Sequence, residues 1–224
     1  MYASIFIPTG NRALSLRRTL FSLTKQSYKK FEVIIVDYKS TDNTSRVINF
    51  FSKKLKIKLV VQKRKGLVKA ANLALKQARG EIFIRTDDDV IMKPYWLRSI
   101  METFQDEKVG GVTGPTVIPT SYKNNRDLFF FEKKFRSKNL LWRAVGYIYF
   151  SFFLENQSRR VSHWFDSGAF SLGTNFEQAS KKPLQEVLNL EACNISVRKK
   201  ILIADGAFNE DYDAGLGDYH EAEV

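Results

Sequence analysis

The 224-residue chain contains a single cysteine, two histidines and five prolines, and each scarcity removes a class of protein. Cys193 alone can close no internal disulfide and complete no structural zinc site, so a stapled secreted fold and a zinc finger are excluded. A reducing, cytoplasmic setting is the expectation. His163 and His220 are too few for a histidine-rich metal centre, and structural roles are expected for both, as for Cys193. The most apolar later run, Leu140 to Leu154, is interrupted by Arg143 and falls short of the roughly 18 to 20 residues that a membrane span needs. Met1-Tyr2-Ala3 runs directly into a strand-like segment with no basic n-region or long apolar h-region, so no cleaved leader is expected. Three chemical signatures are also missing. No Gly-x-Gly-x-x-Gly follows the first strand, no Walker loop is present, and no Gly-x-Ser-x-Gly elbow occurs.

What is present is an ordinary globular composition, 44% hydrophobic and 27% charged, with an excess of positive charge. The 36 Lys and Arg exceed the 24 Asp and Glu, for a net charge of +12. Seven of those carboxylates lie between Asp205 and Val224, where there is no Lys or Arg, so the preceding chain is more basic still. Such a field attracts nucleic acid, an anionic membrane or phosphorylated small molecules, and charge alone does not choose among them. A merely well-solvated basic surface would read the same way.

The first half alternates strand and helix signals, which predicts an α/β domain with a largely parallel sheet. Ser4 to Ile7 is a short apolar run stopped by Pro8-Thr9-Gly10-Asn11, and Leu16, Leu20 and Leu23 then recur at helical spacing. Glu32 to Asp37 reads as a second, buried strand. Ser40 to Asn43 supplies cap-type residues before Val47, Ile48 and Phe51, and Leu59 to Val61 reads as a third strand. A helix from about Val68 to Ala78 is expected to stop at Gly80, and Glu81 to Arg85 reads as the fourth strand. Pro94 sits where a further helix can begin, and Val109 to Ile118 predicts another strand. From about Pro119 to Pro183 the pattern loosens into aromatic clusters between basic residues. A last ordered unit begins near Leu188 and runs through Asn194 and Ile201-Leu202-Ile203 to the acidic end.

One constellation carries chemistry. Asp87-Asp88-Asp89 stands at the carboxyl end of the fourth strand, where three like charges repel unless a divalent cation lies among them. In an open α/β sheet, ligands bind just beyond the carboxyl ends of strands. Asp37 ends the second strand in the same way, and Thr9, Asn11 and Arg12 follow the first, so three strand ends deliver polar groups to one edge. Lys65 and Lys69 lie before and within the helix that leads to the triplet, where cations can balance a diphosphate. The plainer alternative is an exposed turn whose aspartates cap the helix near Pro94.

Ile5 to Arg12, Thr19 to Leu23 with Gln26-Ser27-Tyr28, Phe31 to Asp37 and Ser40 to Thr44 together resemble the nucleotide-binding half of family 2 glycosyltransferases, which have the GT-A fold. Ala71-Asn72, Ala78-Arg79-Gly80-Glu81 and the Asp triplet are similar to that family's next two blocks. Glu191 to Lys199 and Gly206 to Glu210 resemble its acceptor-side block. The resemblance implies one GT-A-like catalytic domain over residues 1–224, about 1–118 being the donor half and 119–224 the acceptor half. It implies an α/β fold, Rossmann-like, with a mostly parallel central sheet and helices on both faces. Asp87 and Asp89 would form the family's Asp-x-Asp motif for Mg²⁺ or Mn²⁺. Pro8, Thr9, Arg12, Asp37, Lys69, Asp87 and Asp88 match positions that bind the nucleoside-diphosphate sugar. Glu221, in Gly217 to Val224, falls at the position of the catalytic base, ahead of Glu223 as the candidate.

Two departures bear on substrate. Tyr38 stands where many members carry a second aspartate toward the base of UDP, so uracil and guanine donors both stay open. The Gln-x-x-Arg-Trp signature of processive synthases is absent, which favours transfer of one sugar. The chain stops directly after the base segment, and a longer native chain is therefore expected. The activity implied is metal-assisted, inverting transfer to a hydroxyl of a glycan or lipid-linked acceptor. Leu128 to Phe153, with Lys133, Lys134, Arg136, Lys138 and Arg143 among aromatics, reads as an acceptor platform, a peripheral contact at the cytoplasmic face of a membrane, or plain core packing. The alternatives are a nucleotidyltransferase, a basic nucleic-acid-binding protein without catalysis, and an inactive homologue. No nucleic-acid partner is expected, because that reading leaves the Asp triplet unexplained.

Overall fold

The computed structural model describes residues 1–116, 138–153, 163–164, 166, 170–171, 184, 186–187, 190 and 193–212. Strand and helix alternate as the sequence pattern requires. β1 (Ala3–Thr9), α1 (Ala13–Thr24), β2 (Phe31–Asp37), α2 (Thr44–Ser52), β3 (Ile57–Val61), α3 (Leu67–Gln77), β4 (Ile82–Thr86) and α4 (Trp96–Thr103) follow in turn. A short strand β5 (Gly111–Thr113), helix α5 (Leu140–Ile148), strands β6 (His163–Trp164) and β7 (Phe170–Ser171), strand β8 (Asn194–Arg198) and helix α6 (Lys199–Ala204) come after. The chain divides into two compact units, Met1–Val112 with Ala192–Val224, and Thr113–Glu191. The second unit contains α5, continued by a π-helical turn at Tyr149–Phe153, and the two-stranded antiparallel sheet of β6 and β7.

The large sheet has the order β3-β2-β1-β4-β8-β5, with β1 parallel to both β2 and β4, β2 parallel to β3, and β8 antiparallel to β4. Both faces are covered, so β1, β2 and β4 read as nearly continuous apolar runs instead of alternating. On one face Ile5, Ile7, Val33, Ile35, Ile82 and Ile84 pack with Leu16, Leu20 and Leu23 of α1, Ile48 and Phe51 of α2, and Leu97, Ile100 and Met101 of α4. On the other, Phe6, Ile34, Val36 and Phe83 pack with Ala70, Ala71, Ala74 and Leu75 of α3. The small side chains of α3 let that helix approach the larger ones of the strands.

Two local expectations change. The predicted strand Val109 to Ile118 is confined to Gly111–Thr113 among the described residues, as suits a short strand at the edge of the sheet. Gly80 is not a left-handed helix stop, since α3 ends at Gln77 and Ala78 is already extended. Its lack of a side chain serves a close approach instead: a Cβ there would lie 2.6 Å from the Ser4 nitrogen and 2.7 Å from the Tyr2 oxygen.

Candidate functional site

The sheet order reverses between β1 and β4, whose neighbours in sequence lie on opposite sides, and this opens a crevice at their carboxyl ends. Thr9, the last residue of β1, and the Asp triplet after β4 flank it. Asp88 points inward and is 4% exposed. Thr9 Oγ1 donates to its Oδ2 at 2.7 Å, and Arg12 Nε lies 3.3 Å from its Oδ1. Burial pushes the Asp88 carboxyl up to about 6, against the lowering effect of Thr9 and Arg12, and the charges of Asp89 and Asp87 add to the rise. Arg12 spans two members of the triplet, because its other guanidinium nitrogen donates to Asp89 Oδ2 at 2.8 Å. Arg85 lies 3.6 Å from Asp87.

The triplet is thus sorted by direction. Asp88 is locked into the protein, while the side chains of Asp87 and Asp89 are 32% and 51% exposed and lie beside Arg85 and Arg12. An ion pair as exposed as Arg12–Asp89 is worth about 0 to 1 kcal/mol, so it is readily exchanged for a stronger partner. Hard oxygen donors at a rim suit Mg²⁺ or Mn²⁺, which commonly take one or two carboxylates and complete their shell with phosphate and water. Among the described residues there is no group of three or more His, Cys, Asp or Glu that could hold a metal ion.

The connection after the triplet is held by α1. Thr19 Oγ1 donates to the Asp88 carbonyl at 2.7 Å, Ser22 Oγ accepts from the Met92 amide at 3.2 Å, and Gln26 bridges the Lys93 carbonyl and the Leu97 amide at 2.9 and 3.0 Å. Thr19 and Ser22 are buried polar residues at i and i+3 on one edge of the helix that Leu16, Leu20 and Leu23 dock, and the buried Gln26 follows just past its end. The resemblance included them without a role. Their signal was a polar stripe at helical spacing inside an apolar one.

The loops after β1 and β2 are joined in a similar way. Asn11 adopts φ 54° and its Oδ1 accepts from the Thr41 amide at 2.7 Å, while its own amide donates to Ser40 Oγ. Asp42 accepts from the Ala13 amide at 3.0 Å and from the Thr44 amide at 2.9 Å, so one carboxylate caps the first turns of both α1 and α2. Burial alone would raise its pKa, but the hydrogen bonds from Thr44 and Ala13 hold it below the usual value. Asp37 is buried at the end of β2, where Ser40 Oγ donates to its Oδ1. Tyr38 beside it is 38% exposed. Pro8 is half-buried at the end of β1, and Lys69 is half-buried in the first turn of α3. Thr9, Arg12, Asp88 and Asp89 are therefore brought into direct contact, Asp37 and Pro8 stand at the same sheet edge, and Glu221 lies outside the described residues.

The model of Glycosyl transferase family 2 matches residues 4–175, and the chain belongs to that family. Among curated proteins, it is 33% identical over 135 residues to the poly(ribitol-phosphate) beta-N-acetylglucosaminyltransferase TarS of Staphylococcus aureus, covering 55% of this chain and 23% of that one. It is 26% identical over 187 residues to the glycosyltransferase GlyG of Streptococcus pneumoniae, covering 82% of this chain and 58% of that one. The chain thus spans about a quarter of the length of the first of these relatives and less than two thirds of the second. Among solved structures, the mannosyltransferase PcManGT of Pyrobaculum calidifontis, in complex with GDP-Man and Mn²⁺, is similar in fold, with a TM-score of 0.60 and 21% identity over 98% of this chain and 50% of that one. The expected α/β architecture, a mostly parallel sheet covered on both faces, is the fold observed.

Proposed function

We propose that this chain transfers a sugar from a nucleoside-diphosphate sugar to a hydroxyl acceptor by an inverting single displacement. The observation that carries the reading is the Thr9, Arg12, Asp88 and Asp89 constellation in the β1/β4 crevice of a family 2 chain. Asp87 and Asp89 are the residues to hold a divalent cation, which when bound supplies positive charge to the departing diphosphate. Asp88 takes no part in that contact. It fixes Arg12 and Thr9, so that the guanidinium is held at the rim as a positive group for phosphate. Pro8, Asp37 and Lys69 complete the donor side, with Tyr38 placed to select between uracil and guanine. On the acceptor side Glu221 accepts the proton of the attacking hydroxyl, which is otherwise too weak an acid to react. Attack opposite the nucleotide inverts the anomeric carbon.

The acceptor we propose is a glycan or lipid-linked saccharide, met at the cytoplasmic face of a membrane. Helix α5 supports a peripheral contact: Leu140, Leu141 and Tyr147 are 79%, 71% and 74% exposed, beside the exposed Lys138 and Arg143. Among the described residues no helix is long and apolar enough to cross a bilayer. Co-sedimentation with phosphatidylglycerol vesicles, weakened by salt and by Leu141→Glu, is the expected result. Equal recovery with and without vesicles would remove the contact.

The donor reading is tested by thermal unfolding with UDP, GDP and a single-stranded oligonucleotide, each with Mn²⁺, with Mg²⁺ and with chelator. A nucleotide at about a hundred times its Kd stabilises by about 2.7 kcal/mol, a shift of roughly 5 to 10 °C for a domain of this size. The expected result is a metal-dependent shift with one nucleotide. A shift with the oligonucleotide alone, screened by salt and indifferent to metal, would replace the transferase reading by nucleic-acid binding.

A further inference from the structure

Helix α3 carries Lys69 on the donor side, and three residues later on the same side it carries Asn72. Asn72 makes a two-way contact with one backbone unit far along the chain. Its Nδ2 donates to the Phe208 carbonyl at 2.8 Å, and its Oδ1 accepts from the Phe208 amide at 3.0 Å. The same Nδ2 donates to Glu210 Oε1 at 3.2 Å. An amide is the side chain for this task, since it presents a donor and an acceptor to a peptide unit that offers the complement. Neither aspartate nor leucine, close in size, can satisfy both.

The segment so held is not ordinary loop. After α6 the chain turns through two consecutive left-handed residues, Gly206 at φ 83° and Ala207 at φ 70°. For alanine that conformation costs about 1 kcal/mol and persists only where the surroundings fix it. Phe208 then places its ring 6.2 Å from that of Phe83 in β4, and Asn209 Oδ1 accepts from the Asp211 amide at 2.9 Å, starting a single 3₁₀ turn at Glu210–Tyr212. From Tyr212 only eight residues intervene before Glu221.

We propose that Asn72 is a positioning residue that anchors the root of the Glu221 segment to the helix bearing Lys69, so that one helix sets both the donor side and the acceptor-side base. The inference rests on the assignment of Glu221 above. It differs from a purely structural role in what it couples: loss of the anchor lowers the reaction through Glu221 and leaves the donor nucleotide bound.

The test uses nucleotide binding with Mn²⁺ and the slow hydrolysis of UDP-N-acetylglucosamine or GDP-mannose, in which water replaces the acceptor hydroxyl and needs the same base. Asn72→Asp keeps size and the acceptor for the Phe208 amide, but removes the donor and sets a carboxylate against Glu210. Hydrolysis is expected to fall about a hundredfold, the scale of a reacting group misplaced by an ångström, with nucleotide affinity within twofold. Glu221→Gln should fall similarly, and the double variant should be no slower than the slower single, because both remove one function. Backbone hydrogen exchange over 206–212 should quicken at least tenfold in Asn72→Asp, with the β1, β2 and β4 amides unchanged. Asn72→Ser serves as the second variant if the first does not fold.

Wild-type hydrolysis in Asn72→Asp, losses that multiply in the double variant, or a tenfold weaker nucleotide would each overturn the proposal. A Glu221→Gln variant at the wild-type rate instead sinks the base assignment. In that case, unchanged exchange over 206–212 in Asn72→Asp would sink the anchor as well, and quickened exchange would keep it as the root of a segment with some other base.

Discussion

At the two ends of the same parallel strands the chain buries carboxylates in opposite ways. At the amino end Glu32 faces α3, and its Oε1 accepts from Ser4 Oγ at 2.7 Å and from the Arg79 amide at 2.8 Å, while Ser4 Oγ in turn accepts from the Gly80 amide at 2.8 Å. The partners of Glu32 are a hydroxyl and a backbone amide, and with the Gly80 amide on Ser4 the cluster closes the turn between α3 and β4. At the carboxyl end Asp88 is as deeply buried, yet its neighbours Asp87 and Asp89 stay at the surface and its own ionised form is disfavoured. Equal burial therefore does not mark equal purpose. A buried carboxylate whose partners are fixed donors is architecture. One that lies among further carboxylates and is balanced by arginines carries a charge arrangement that packing alone does not require.

The largest expected effect lies at the sealed end. Gly80→Ala must push its Cβ into the backbone of Tyr2, Ala3 and Ser4, and a loss of about 3 kcal/mol or more in chemical denaturation is expected. Ordinary stability would show that the strand shifts freely and that the closure is not needed. Asp89→Ala should do the reverse, leaving stability within about 1 kcal/mol, as for an exposed ion pair, while removing Mn²⁺-dependent nucleotide binding. Titration calorimetry decides this, and unchanged affinity would take Asp89 out of the metal site. Glu32→Ala strands Ser4 and the Arg79 amide and should cost about 2 kcal/mol with nucleotide affinity intact. A change in affinity there would break the division between the two ends.

The smallest effect concerns pH. Because the folded-state pKa of Asp88 is raised to about 6, above that of an unfolded aspartate, its ionised form opposes folding at neutral pH, and the penalty is relieved as pH falls from about 6 towards 4. In chelator, Asp88→Asn should gain stability relative to wild type at pH 7.5, and the gain should shrink at pH 4.5. A gain that grows on acidification would reverse the sign argued here.

The strand and helix order was legible because both sheet faces are covered and the runs Ile5 to Ile7, Val33 to Val36 and Ile82 to Ile84 leave little ambiguity. The Asp triplet was legible as a candidate site for a different reason, since adjacent like charges at a strand end need explaining wherever they occur. The division of labour inside it was not legible: that the middle aspartate turns inward depends on Thr9 and Arg12, 79 and 76 positions earlier in the chain. Glu32 read as one member of a buried strand, and its role needed Arg79 and Gly80 brought beside it by a whole helix. Asn72 was visible as part of a family block, while its partner Phe208 lies 136 residues away. Periodicity reports which face a residue takes, and only the folded chain reports which distant backbone it meets.

The strand β8 that borders β4 enters the sheet only after the excursion Thr113–Glu191 has been traversed. Its seat is fastened independently of that excursion: Arg198 donates to the carbonyls of Phe104, Asp106 and Val109 at 2.8 to 2.9 Å, and its guanidinium lies 5.3 Å from the Phe104 ring. The ends of the excursion are thus pinned by groups that do not belong to it. Closing a loop costs only about 0.6 kcal/mol more for each doubling of its length. Such a frame tolerates a longer, shorter or wholly different insert between its clasped ends, so one cassette can be exchanged in evolution while the strand ends that carry Thr9 and the Asp triplet are inherited intact.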